Sequence, residues 1–150
     1  MTVQATLRPA RPLDAGATGD ILWRCQREAV WMPRLYSGAE TIAFCGSMIE
    51  RGWMTVALVE GRIVGFLACD GRQIHGLYLS REVWGKGIAR MVLDDAKRRA
   101  DRLILRSFQA NARANRFYRR AGFVEVGRGD GSDNDENLPD IAYVWPKENA

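Results

Sequence analysis

Three apolar segments, residues 53–59, 63–69 and 73–80, follow one another with only Glu60-Gly61-Arg62 and Asp70-Gly71-Arg72 between them. Connections this short join antiparallel neighbours and leave no room for a crossover. The middle of the chain is therefore a three-stranded meander, and the rest must be arranged around it.

Ahead of the meander, Val3, Ala5 and Leu7 alternate with polar neighbours until Pro9 and Pro12, which suits an opening strand. Asp14 can cap a helix whose apolar face is Ala17, Ile21, Leu22, Cys25 and Ala29, closed by Met32-Pro33. A second helix opens on the capping box Ser37-x-x-Glu40 and carries Ile42, Phe44, Cys45, Met48 and Ile49 before Gly52. After the meander, a glycine turn and a helix occupy 81–100, with Ile88, Met91, Val92 and Ala96 on one side. Lys97, Arg98 and Arg99 fall in its last turn, where cations favour the carbonyl end of the helix dipole. A strand over 102–108, a helix over 111–121 and strands near 123–126 and 141–145 complete the pattern. This order predicts an α/β (α+β) fold, one mixed sheet with helices on both faces, and a single domain over residues 1–150.

Composition narrows the function. With 47% hydrophobic and 27% charged residues the chain can bury a core without disulfide or metal staples, and its longest apolar stretches fall short of the ~18 residues of a spanning helix. The N-terminus lacks an apolar signal core, so the chain is expected to be cytoplasmic and not bound to a membrane. Cys25, Cys45 and Cys69 are widely spaced and accompany a single histidine, a set that suits reduced packing residues and makes neither a disulfide framework nor a metal site. Between Arg81 and Arg120, twelve Lys/Arg face four acids, while residues 130–140 carry five acids and no base. A basic half of this kind attracts a polyanion: nucleic acid, a membrane surface or a phosphorylated cofactor.

The segment Trp84-Gly85-Lys86-Gly87-Ile88-Ala89 lies between a strand and a helix. Its glycines let the backbone approach a ligand, and the free amides of a first helical turn attract an anion such as a diphosphate. It is not a Walker loop, because Ser80 stands at the first glycine position and Gly87 follows Lys86; nor is it a dinucleotide fingerprint, because Arg90 occupies the third small position. The acidic stretch from Asp130 lacks the turn glycine of a calcium loop, since Asp135 stands there.

These residues resemble the GCN5-related N-acetyltransferases, the GNAT family, whose acetyl-CoA motif is Gln/Arg-x-x-Gly-x-Gly/Ala after the fourth strand. Only Trp84 departs from it, in place of Gln or Arg. The family's downstream motif is matched in full by Asn111-x-x-Ala114-x-x-x-Tyr118-x-x-x-Gly122-Phe123. The resemblance is specific from Ile74 to Val126. It implies a mostly antiparallel sheet of about seven strands, splayed between the fourth and fifth, with the pantetheine arm of acetyl-CoA pairing to Leu77, Tyr78 and Leu79. The diphosphate would rest on amides from Gly85 through Lys86, Gly87, Ile88 and Ala89 to Arg90, with Trp84, Asn111 and Tyr118 also against the donor. Lys86, Arg90 and Arg120 would add positive charge near the phosphates.

The implied reaction is acetyl transfer to a primary amine by direct attack on the thioester. A backbone N–H near Tyr78 would polarise the carbonyl, and Tyr118 would be the general acid, a phenol of pKa about 10 facing a thiol of about 8.5. His75 is a candidate base, with Glu136, Asp140, Glu28 or a water chain as others. The acidic 130–140 loop suits a cationic acceptor, a small molecule or a peptide amine. A homodimer is compatible with the family's habit. Two alternatives stay open: a non-catalytic CoA-binding sensor on the same fold, and a basic nucleic-acid-binding module, which the absence of a matching recognition motif disfavours.

Overall fold

The structure is a computed structural model that describes residues 4–149, with side-chain surroundings described to residue 148; Val3, part of the expected opening alternation, lies outside that range. The elements are β1 (Thr6–Pro9), α1 (Ala15–Glu28), α2 (Gly38–Glu50), β2 (Met54–Val59), β3 (Arg62–Asp70), β4 (Gln73–Leu79), α3 (Ile88–Arg99), β5 (Leu103–Phe108), α4 (Ala112–Arg120), β6 (Val124–Gly129) and β7 (Asp140–Trp145). They form one seven-stranded sheet in the order β1-β2-β3-β4-β5-β7-β6. The meander β2-β3-β4 is antiparallel throughout.

Two cores lie on opposite faces of the sheet. One joins α1 and α2 to Met54, Val56, Phe66 and Ala68; the other joins α3 and α4 to Val64, Leu67, Leu103 and Tyr143. The alternation of strand side chains sends Phe66 to the first and Leu67 to the second.

Several sequence expectations are corrected in detail. Within the glycine turn and helix expected over 81–100, the helix starts at Ile88, directly after Gly85 and Gly87, whose φ of +76° and +83° exclude a right-handed helix there, and a 3-10 turn at Arg81–Val83 that the sequence did not announce precedes them. Asp14 precedes α1 but does not cap it; its carboxylate turns back to the Arg8 guanidinium (2.7 and 3.1 Å) and the Arg11 amide (2.7 Å). The Arg8 guanidinium is the main reason its carboxyl lies below the ordinary range. In α1 Ile21 and Leu22 are buried as expected, but Thr18 and Gly19 join them in place of Ala17, and α1 stops at Glu28, short of Met32-Pro33. In α2, Ile42 and Phe44 remain 40% and 54% exposed. The two helices meet through Gly19, where an added Cβ would lie 2.6 Å from Ile42 Cγ1, so their contact runs one step around from the predicted stripe. The Ser37–Glu40 capping box forms as expected.

One close approach places the edge of the site. An added Cβ at Gly65 of β3 would lie 2.2 Å from Leu79 Cδ2 and 2.8 Å from the Tyr78 carbonyl oxygen, so only glycine lets β4 sit where it does. Gly65→Ala is expected to destabilise the fold by about 1–3 kcal/mol by overpacking. A thermal melt reads this as a loss of about 2–4 °C per kcal/mol for a chain of this size.

Candidate active site

Among the described residues β4 and β5 are the one parallel pair, and they meet at a single register position, Gln73 opposite Ile104. Beyond it the strands diverge. Ser80 N donates to Val64 O on β3 (2.7 Å), so the strand's alternation turns the backbone groups of Tyr78 toward β3 and those of Leu77 and Leu79 toward the gap. The Leu79 carbonyl is already engaged there: it accepts the Trp84 indole N–H (3.0 Å) and the Cys25 thiol (3.3 Å). The gap opens into a cleft of about 360 Å³ walled by β4, by α4 from Asn111 to Tyr118, and by Cys25 to Met32 of α1 and the segment after it.

The glycine turn stands at one end of the cleft. The first backbone bond of α3 runs from Met91 N to Gly87 O (3.1 Å), so the amides of Ile88, Ala89 and Arg90 precede the helical ladder and present donors with the positive end of the dipole. Gly85, Lys86, Gly87 and Arg90 are exposed around this turn, Trp84 and Ala89 line the cleft, and the Ile88 side chain is buried in the core.

Across the gap, Asn111 caps α4 by accepting the Ala114 amide (3.1 Å). Tyr118 follows two turns later and lines the same cleft, 8% exposed and packed edge-on against Phe117 and Phe123. Burial, and next the neighbouring Tyr78, raise its phenol above the ordinary tyrosine value. Burial pushes Tyr78 up to about 12, with smaller contributions from Cys25, Glu136 and Cys45. Both phenols therefore keep their protons through neutral pH.

His75 is not brought to the cleft. It occupies the irregularity where β4 slips against β3 between Gly76 and Ile74, stacks on Trp53 (5.0 Å, 12° between planes) and meets Asp70 Oδ2 at 2.6 Å. Among the carboxylates considered beside it, Glu28 lines the cleft but faces Arg81 at 3.5 Å. Asp140 is buried and faces Arg106 at 3.4 Å. Glu136 is half-buried in the acidic loop and outside the cleft lining, and its charge contributes to the rise at Tyr78. That loop is tied to the α1–α2 connection by Tyr36, whose hydroxyl donates to Asp135 Oδ2 (2.8 Å). Arg120 is exposed at the end of α4 and outside the cleft lining. Cys25, Cys45 and Cys69 carry no disulfide. Among the described residues no helix is long and apolar enough to cross a membrane, and no group of three His, Cys, Asp or Glu is arranged to hold a metal ion.

Residues 50–125 match the family model described as the acetyltransferase (GNAT) domain, half of the chain. The chain belongs to the GNAT acetyltransferase family. A related GNAT protein, the peptidyl-lysine N-acetyltransferase YjaB of Salmonella typhimurium, is 29% identical over 83 residues, covering 55% of this chain and 57% of the relative. The match thus spans little more than half the length of that curated relative. The solution structure of apo-form YjaB from Escherichia coli superposes with a TM-score of 0.80 at 22% identity, over 95% of this chain and 98% of that one. The structure of yncA from Salmonella typhimurium, a putative acetyltransferase with its cofactor acetyl-CoA, gives 0.72 at 18% identity, over 94% and 92%. The sheet, its helices on both faces and its splay are those of the GNAT fold.

One residue that supports the site from outside the cleft lining has no motif to mark it in the sequence. Asn115, 4% exposed, donates to the Phe108 carbonyl (3.1 Å) and accepts the Tyr143 hydroxyl (3.1 Å), so it ties α4 to β5 and β7 one turn ahead of Tyr118. Its only sequence signal is a second asparagine four residues after the cap, on the same helix face. Asn115→Ala is expected to cost about 1–3 kcal/mol, because it leaves the buried Tyr143 hydroxyl without its acceptor, while the Phe108 carbonyl keeps the Asn111 amide (3.0 Å). Chemical denaturation should show the loss as a lower midpoint at unchanged slope.

Proposed function

We propose that residues 1–150 act as one domain that transfers acetyl from acetyl-CoA to a primary amine, the side-chain amine of a peptidyl lysine. The observation that carries this reading is the pairing, in one cleft, of gap-facing main-chain groups on β4 with the Tyr118 phenol on α4. The donor chemistry fits the residues present. Leu77 and the Leu79 amide offer strand-like pairing to a pantetheine arm, and the amides of Ile88 to Arg90 offer donors to a diphosphate. Bound there, acetyl-CoA supplies an acetyl thioester.

The amine nitrogen attacks the thioester carbon, a C–N bond forms, and the C–S bond breaks. The Leu79 amide, rather than that of Tyr78, polarises the carbonyl, because Tyr78 N–H points to β3 and Leu79 N–H to the gap. Tyr118 donates a hydrogen bond to the sulfur as charge develops on it. Its raised pKa makes outright transfer to a free thiolate uphill, since a thiol has a pKa of only about 8.5. The phenol therefore acts by stabilising the breaking bond, and the proton the amine releases makes up the balance on the product thiol. With Glu28 and Asp140 facing arginines, Glu136 takes, through solvent, the separate proton that the lysine ammonium loses before it attacks.

The acceptor side supports a lysine. Exposed Tyr36 reaches the acidic loop, and exposed Leu35 precedes it in the chain. An apolar rim next to carboxylates suits an aliphatic stem ending in an ammonium group. The related YjaB carries the same acceptor class in its name.

Incubation with acetyl-CoA and lysine-containing peptides should release free thiol and add one acetyl group to the lysine side chain, read by mass spectrometry. Release no faster than with acetyl-CoA alone, across peptides and small amines, would exclude transfer. Tyr118→Phe should lower kcat by about 10²–10³-fold, within the range for a positioned proton donor, while acetyl-CoA affinity measured by calorimetry stays unchanged. Because a protonated phenol is required and its pKa is raised, activity should be lost only as pH rises beyond the ordinary tyrosine value of about 10. A descending kcat limb near neutrality that Tyr118→Phe abolishes would contradict this role.

A further inference from the structure

Trp84 stands where the family's motif carries Gln or Arg, and the structure gives it an unusual setting. Its indole N–H is anchored on the Leu79 carbonyl at 3.0 Å, which holds the ring against the cleft wall. Two guanidinium groups lie over that ring: Arg113 Cζ is 3.8 Å from a ring centroid and Arg81 Cζ is 5.0 Å.

The two arginines differ in what neutralises them. Arg81 faces Glu28 at 3.5 Å. Arg113 has no carboxylate within ion-pair distance among the described residues, although Arg90, Arg98 and Arg99 on α3 each have one. Burial lowers its pKa, and Arg81 and Arg116 add repulsion. An aromatic face offsets part of the cost of holding a cation there, but it satisfies none of the five N–H donors of the guanidinium fork. Arg113 is exposed, so its fork, seated over the Trp84 ring at the wall of the cleft and repelled by Arg81 and Arg116, is open to an oxyanion that accepts two parallel hydrogen bonds.

We infer that Arg113, seated on Trp84, binds the diphosphate of the acetyl donor, bringing from α4 the polar side chain that the motif's Gln or Arg would otherwise bring from the turn. This rests on the acetyl-CoA reading above. The diphosphate is preferred to the 3′-phosphate because Trp84 immediately precedes Gly85, and the amides of Ile88 to Arg90 begin only four residues later. Arg113 and those amides would grip the same group from opposite walls of the gap.

The test measures dissociation constants by calorimetry for acetyl-CoA and acetyl-dephospho-CoA, and kcat/KM for S-acetylpantetheine, which has no phosphate. Arg113→Ala should weaken both CoA forms alike, by about 10-fold, as expected for loss of one charge-assisted contact, and leave S-acetylpantetheine unchanged. Arg113→Lys, which keeps the charge but loses the flat fork, should recover less than half of the loss on a logarithmic scale. In a Trp84→Gln background, where a polar side chain is restored to the turn, Arg113→Ala should cost less than about 3-fold. Equal affinity of Arg113→Ala and the native protein for acetyl-CoA would overturn the inference. So would a loss confined to acetyl-CoA, which would assign Arg113 to the 3′-phosphate, or an equal loss with S-acetylpantetheine, which would make its role structural. No acetyl-CoA binding by the native protein would instead overturn the underlying functional reading.

Discussion

A parallel strand pair that touches at one point governs this molecule. β4 and β5 share only the Gln73–Ile104 position, so the strand between them that would normally satisfy Leu77 and Leu79 is missing from the chain itself. Unpaired main-chain groups inside a sheet carry a free-energy cost. The protein offsets part of it locally, through the Trp84 indole and the Cys25 thiol on the Leu79 carbonyl. The remaining groups are a template for an extended ligand, and the cleft exists because they are not closed by β5. Gly65 keeps β4 close to β3, α3 sets its free amides at one end of the gap, and α4 supplies the opposite wall.

Charge is distributed to serve the same gap. The basic half that stands out in the sequence resolves into two populations. On α3, Arg90, Arg98 and Arg99 are matched by Asp94 and Asp95 on their own helix, and pairs of this exposed kind contribute little. On α4, Arg113, Arg116, Arg119 and Arg120 have no carboxylate within ion-pair distance among the described residues, and Arg113 is the one that lines the cleft. The acidic segment lies at the other side, with Tyr36 holding Asp135 and Arg106 holding Asp133 and Asp140. Positive charge thus gathers where the phosphorylated donor is proposed to bind, and negative charge on the loop proposed to meet a cationic acceptor.

Features governed by local chemistry were legible from the residues alone. The meander, the Ser37–Glu40 box, the Asn111 cap and the start of a helix at a double-glycine turn all follow from backbone preferences within four or five residues. Features governed by packing were not. The α1–α2 contact rotates because Gly19 accepts Ile42, leaving Phe44 outside. Asp14 leaves its helix for Arg8, because a guanidinium from β1 outcompetes a peptide amide as a partner. His75 is the single histidine, on the strand proposed to pair with the cofactor, yet the slip in the β3–β4 register turns it onto Trp53 and away from the cleft.

The residues by themselves determined which segments are strands and helices, where a double-glycine turn opens a helix, and which tyrosine follows two helical turns after a cap. Those properties depend on φ/ψ preference and on side-chain period, which act along the chain. Only the tertiary structure decided that β4 and β5 diverge, that Leu79 rather than Tyr78 turns its amide into the gap, that Asn115 braces the tyrosine helix, and that Trp84 lies under Arg113. Each of these depends on which surfaces meet across tens of residues, and such distances carry no periodic signal in the sequence.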